Sequence, residues 1–223
     1  EPDTELKELL SYYQEKGQAK LDEVIATTDA LLDGERANVR NKQTNLGRML
    51  AMAQSAKVSA DFGVMNSGGV RASIKAGNIT YRDVLTVQPF GNMVTLNEMT
   101  GAAAADYLGA VGSLQIGSGG YAQITGVKMT IDCVAKKATV HEINGKEFSA
   151  TANYKFTVPS FNAAGGDGYP KLASPIQTGY VDADLLYSFL KEKQSIVAAD
   201  YNPVGDIVYE NSESVEGCKI TAK

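Results

Sequence analysis

NSGGVRASIKAGNITYRDVLTVQPFGN, residues 66–92, begins where a short apolar run, Phe62 to Met65, ends. A brief apolar run bounded by turn residues reads as a buried strand, and the Gly-rich segment after it reads as a turn. Turns at strand ends are where a rigid scaffold presents functional side chains. Asn66 stands at this strand end, where it either meets a ligand or caps the turn, and Arg71 follows in the turn itself with room for its guanidinium to project. The same stretch closes on QPFGN, which sets Phe90 beside small residues that leave its ring uncovered.

Moving outward, Leu6, Leu9, Leu10 and Tyr13 recur at helical spacing and predict a leading amphipathic helix that stops at Gly17. Glu23 to Leu32 predicts a strand ending at Asp33 and Gly34. The polar stretch ERANVRNKQTN then precedes a helix marked by Leu46, Met49, Leu50 and Ala53, with Thr44 or Asn45 as its cap. Beyond residue 92, strands are expected at Val94–Met99, Val127–Ile131, Val140–Ile143 and Tyr154–Val158, with Asn144 and Gly145 forming a hairpin turn. Helices are expected after Thr100 and after a capping Asp182, and an edge strand at Ile207–Tyr209. Helices and strands alternate early while strands dominate the middle, so the fold class is α/β with a mixed sheet and flanking helices, not a doubly wound parallel sheet.

The 223 residues carry a formal net charge of −5, with 43% hydrophobic and 21% charged residues. No basic field offers counterion release to a polyanion, so nucleic acid is not an expected partner. No apolar run is long enough to span a bilayer. Cys133 and Cys218 have no metal-knuckle or dithiol spacing, and both a long-range disulfide and two unrelated thiols fit the sequence.

A single histidine, His141, lies inside a predicted strand. One histidine cannot build a two-metal hydrolytic centre or serve several bases. GSGGY at residues 117–121 lacks the P-loop lysine and reads as an ordinary loop. Arg36 and Arg40, four residues apart, share a face if their segment is helical, and with Arg71 they offer guanidiniums suited to phosphate oxygens. Composition alone favours solvated surface arginines.

FNAAGGDGYP repeats the Phe-plus-small-residue pattern of QPFGN. Phe90 and Phe161 could clamp a planar base, although phenylalanine is more commonly core. Asp167 between glycines could accept both hydroxyls of a ribose or simply shape a turn.

Three segments, QTNLGRML, NSGGVRASIKAGNITYRDVLTVQPFGN and FNAAGGDGYPKL, together resemble the C-terminal domain of the 5'-nucleotidase family, above all the bacterial periplasmic UDP-sugar hydrolase/5'-nucleotidases. The resemblance implies that residues 1–20 form a linker helix to a metallophosphoesterase domain on the N-terminal side and that residues 21–223 form a nucleotide-binding domain. It implies phosphate contacts for Arg36, Arg40 and Arg71 with Asn66 beside them. Phe90 and Phe161 would sandwich the base, Gly91 and Asn92 would line its pocket, and Asp167 would hold the ribose. The implied ligand is AMP-like, a UDP-sugar or NAD, and the implied place is periplasmic or extracellular, at the cell surface or free. No cofactor is expected in this chain, while two divalent metal ions belong to the N-terminal domain, so the chain alone is expected to be inactive. A free-standing nucleotide-scavenging module is the alternative.

Overall fold

The computed structural model describes residues 4–220. Its helices are α1 (Thr4–Leu21), α2 (Arg36–Val39), α3 (Asn45–Lys57), α4 (Tyr81–Val87), α5 (Gly101–Gly112), α6 (Ser160–Ala163) and α7 (Asp182–Lys193). The strands are β1 (Val24–Thr28), β2 (Phe62–Asn66), β3 (Gly77–Thr80), β4 (Met93–Thr100), β5 (Ala122–Thr125), β6 (Val127–Asp132), β7 (Lys137–Ile143), β8 (Lys146–Glu147), β9 (Asn153–Pro159), β10 (Ile176–Val181), β11 (Ser195–Ile196) and β12 (Ile207–Glu210). They build a mixed α/β fold around three sheets, in the orders β11-β1-β3, β10-β4-β9-β2-β5 and β12-β6-β7-β8.

Strand β2 is buried along its whole length because both of its faces are covered. Phe62 and Val64 join one cluster with Tyr107, Leu108 and Val111 of α5, while Met65 joins another with Leu46, Met49 and Leu50 of α3. Alternation therefore sends successive side chains to opposite cores, which is why the run is apolar without a break. α3 begins as its cap predicts, with the Thr44 hydroxyl accepting from Gly47 N at 3.2 Å. Thr100 caps α5 in the same way.

Pairing directions place the site. β2 and β9 are parallel, so Asn66 and the segment after Pro159 emerge at the same end of the central sheet. β4 and β5 run antiparallel to these neighbours, so the segments entering them, Phe90–Asn92 and Gly117–Tyr121, arrive at that end too. Four chain segments distant in sequence thus meet along one edge, as ligand-bearing loops do at the carboxyl ends of strands.

The strand expected over Glu23–Leu32 is shorter and closes at Thr28 as β1, and three further sequence expectations need correction. The leading helix does not stop at Gly17 but continues to Leu21. One glycine costs only about 1 kcal/mol in a helix interior, and nothing forces the chain to turn there. Its apolar stripe, Leu6, Leu9, Leu10 and Tyr13, is exposed. α1 is fastened at its last turn, where Arg82 pairs with Asp22 at 2.9 Å and Lys20 and Lys191 each meet Glu23 at 3.1 Å. Second, residues 77–87 form β3 and α4, elements that hydrophobic periodicity did not reveal. Their signal is the capping box of Thr80 and Asp83, in which each side chain bonds the other's backbone N–H. Third, α7 starts with Asp182 inside the helix, where its carboxylate accepts from Ala183 N at 2.8 Å and Asn92 N at 3.2 Å.

Cys133 and Cys218 are joined as a disulfide, with Cα atoms 5.3 Å apart. β12 adds to the edge of its sheet in parallel with β6.

Candidate functional site

A cavity of about 400 Å³ opens where the four segments meet. Its volume falls in the range of small-ligand sites, roughly 300–1,000 Å³. Phe90 and Phe161 both line it, and they are 58% and 50% exposed respectively. These rings are therefore not core. Gly166 explains how Phe161 stays in place: a Cβ there would lie 2.5 Å from atoms of the ring. The glycine lets backbone back one face of the ring while the other stays open. Phe90 has the Arg71 guanidinium 5.5 Å from its ring centroid, a cation–π distance.

Arg40 and Arg71 supply the positive side of the cavity. Arg40 is the C-cap of α2, and the segment around it is held by a buried amide, Gln123. Gln123 Nε2 donates to the carbonyls of Val39 and Lys42 at 2.8 Å each, and its Oε1 accepts from Thr44 N at 2.8 Å. Every hydrogen-bonding position of that amide which faces the segment is used. Burial, and then the nearby charges of Arg36 and Arg71, push the Arg40 pKa below the usual guanidinium value, while Asp167 opposes the shift. Like charges gathered this way repel one another, and an oxyanion among them would relieve that repulsion further than Asp167 does.

Asp167 sits opposite in a left-handed conformation, φ 56° and ψ 23°, between two glycines. Its Oδ2 accepts from Asn66 Nδ2 at 2.7 Å, which fixes the carboxylate and leaves Oδ1 free for another donor. Asn92 lines the cavity beside these groups and is clamped to α7, since Asp182 N donates to Asn92 O at 2.8 Å. Burial raises the Asp182 pKa against the lowering effect of its backbone hydrogen bonds.

Of the residues expected at the site, Arg40, Asn66, Arg71, Phe90, Asn92, Phe161 and Asp167 line one cavity. Two do not. Arg36 is exposed and outside the lining, close enough to Arg40 to act on it through charge. Gly91 is a turn residue at φ +66°, with open space where a side chain would be. Asn66 bonds to the carboxylate of Asp167, not to a guanidinium. GSGGY is no bland loop, because Gly119 lines the cavity and its carbonyl accepts from Gly68 N at 2.8 Å. Sequence reasoning also missed Gln123, whose alternation within β5 carries no mark of its three partners.

His141 is exposed on β7, with Nε2 3.1 Å from Thr130 Oγ1. Among the described residues no group of three or more His, Cys, Asp or Glu could hold a metal ion.

The family described as 5'-nucleotidase, C-terminal domain, matches residues 24–174. A 5'-nucleotidase of Vibrio vulnificus (strain CMCP6) is 50% identical over 211 residues, covering 93% of this chain and 38% of that protein. Protein UshA of Escherichia coli (strain K12) is 40% identical over 207 residues, covering 91% of this chain and 37% of its own length. In three dimensions, the crystal structure of a 5'-nucleotidase precursor from Thermus thermophilus superposes with a TM-score of 0.76 at 29% identity, over 92% of this chain and 43% of that one. The chain thus spans well under half the length of these relatives. By sequence match, fold and the motifs that built the cavity, the chain belongs to the family of 5'-nucleotidase C-terminal domains.

Proposed function

We infer that this chain is the substrate-recognising part of a 5'-nucleotidase and binds a nucleoside carrying a 5'-phosphate chain. The observation that carries the reading is one cavity holding two half-exposed rings, two guanidiniums and a fixed carboxylate. Each group matches one part of such a ligand. Phe90 and Phe161 offer apolar faces to a base, the free oxygen of Asp167 accepts from ribose hydroxyls, and Arg40 and Arg71 bind phosphate with Arg36 adding charge from outside. Asn66 orients Asp167, and Asn92, with Gly91 shaping its turn, borders the base.

Hydrolysis itself belongs to the remainder of a longer protein. Relatives named 5'-nucleotidase are matched over only 38% of their length, which supports a further domain in a longer protein, and the reading assigns two divalent cations to that domain. The chain's own residues bind and orient the nucleotide, so that the scissile phosphate reaches that centre in a defined pose. AMP-like nucleotides, UDP-sugars and NAD all share the base, ribose and phosphate that these groups address. The disulfide fits an oxidising compartment, periplasmic or extracellular. Among the described residues no helix is long and apolar enough to cross a membrane.

Calorimetry of the isolated chain with AMP, a UDP-sugar and NAD, alongside a phosphatase assay, tests the reading. Binding without turnover is expected. Absence of binding by all three would contradict the recognition role, and turnover by the rigorously purified chain would contradict the division of labour.

A further inference from the structure

The loop between α5 and β5, residues 113–121, touches both the disulfide-bonded tail and the cavity. On the tail side, Cys218 forms a parallel bridge with Gln115, and its carbonyl accepts from Ile116 N at 3.1 Å. Tyr121 Oη donates to Glu216 O at 2.5 Å, and Gly217 packs against Ile116 and the Tyr121 ring. On the cavity side, Gly117 N donates to the carbonyl of Arg40 at 2.6 Å. Gly119 faces the Asp167 carboxylate, and a Cβ on Gly120 would lie 2.4 Å from the Asp167 carbonyl oxygen.

The loop has little regular structure of its own, so its position is set by what grips it on each side. The tail that grips it is in turn fixed by one covalent link, Cys218 to Cys133 at the end of β6, across a sequence separation of 85. Both cysteines are buried. A cross-link that long removes much of the tail's freedom to depart.

We propose that the disulfide-anchored loop is a positioning element for the nucleotide site: the Cys133–Cys218 link holds Gln115–Gly120 in place, and that loop holds the backbones of Arg40 and Asp167. The inference rests on the nucleotide reading above and adds that the cross-link acts on affinity, not only on stability. Cys218 and Gly120 are positioning residues at the two ends of this path. Neither touches the ligand.

The experiment compares AMP and adenosine binding to the oxidised wild-type chain, to Cys133→Ala/Cys218→Ala and to Gly120→Ala, with circular dichroism confirming the fold of each. Gly120→Ala keeps the cross-link and drives a methyl against the Asp167 carbonyl and the Leu114 side chain, so it tests the loop's hold on Asp167 even if the double variant does not fold. AMP affinity should fall about ten- to a hundredfold in both variants, the equivalent of one lost charge-assisted hydrogen bond. Adenosine should fall as much as AMP in Gly120→Ala, which disturbs Asp167 and leaves the loop's bond to Arg40 in place, and less than AMP in the double variant, which also frees Arg40. Oxidised wild-type protein that binds neither ligand would overturn the nucleotide reading itself. Wild-type binding that is matched by a folded double variant, or by Gly120→Ala, would leave that reading standing and overturn this inference.

Discussion

Asn66 Nδ2 and Asp167 Oδ2 lie 2.7 Å apart across 101 positions of sequence, a hydrogen bond that ties the end of β2 to the turn after α6. Asn66 is almost wholly buried whereas Asp167 is exposed, so the asparagine serves as the fixed member of the pair. Asn66→Ala is expected to weaken adenosine and AMP alike by about 1 kcal/mol, because the carboxylate must then be ordered at the moment of binding. Asn66→Asp should weaken both further, since it sets a second carboxylate against the first. Calorimetry with the two ligands checks this; a loss confined to AMP would return Asn66 to the phosphate side.

Arg71 makes only a long contact with Gly68 O at 3.4 Å and lies over Phe90. Its removal should therefore leave stability within about 0.5 kcal/mol. Arg71→Ala is expected to cost AMP about 1.5–3 kcal/mol, the range for hydrogen bonds to charged groups, and adenosine far less. Equal losses for the two ligands would exclude the phosphate contact.

Phe161 is half exposed and backed by Gly166, so truncation creates no core cavity. Phe161→Ala should keep its melting temperature close to that of the wild type while losing about 1–3 kcal/mol of stacking energy with any nucleoside. Phe161→Tyr, which keeps an aromatic face, should retain most of the binding. Unchanged affinity in Phe161→Ala would remove the ring from the clamp.

Gln123 carries the opposite profile, fully buried and remote from solvent. Gln123→Leu leaves the carbonyl of Lys42 and the N–H of Thr44 without their partner, while the Val39 carbonyl still accepts from Ser67 Oγ. A stability loss of about 2 kcal/mol or more is expected in urea titration, from two orphaned backbone groups at about 1–3 kcal/mol each before relaxation. Whatever folds should bind AMP more weakly, because the Arg40 segment loses its staple. A loss below about 1 kcal/mol would show that the segment holds itself.

Periodicity made α3, α5 and α7 legible, as it did the long strands, because each presents one face to a core and repeats with the geometry of its element. α4 is short and only partly apolar, so its evidence was the Thr80–Asp83 capping box and not a stripe. At the site, residue chemistry and the family resemblance together singled out Arg40, Arg71, Phe90, Phe161 and Asp167, which the fold gathers around one cavity. Gln123 and the glycines at 119 and 120 stayed hidden for a physical reason. Their contributions are a direction of hydrogen bonding and an absence of atoms, both defined only by chain brought near from elsewhere. The cysteine pairing was undecided on spacing alone, since 85 residues separate partners that the fold brings together.

A crystal structure of the chain with AMP tests the central claim most directly. The base should lie between the rings of Phe90 and Phe161, the ribose hydroxyls on Asp167, and the phosphate within hydrogen-bonding reach of Arg40 and Arg71. AMP bound with its base outside those rings, or its phosphate away from both guanidiniums, would contradict the account.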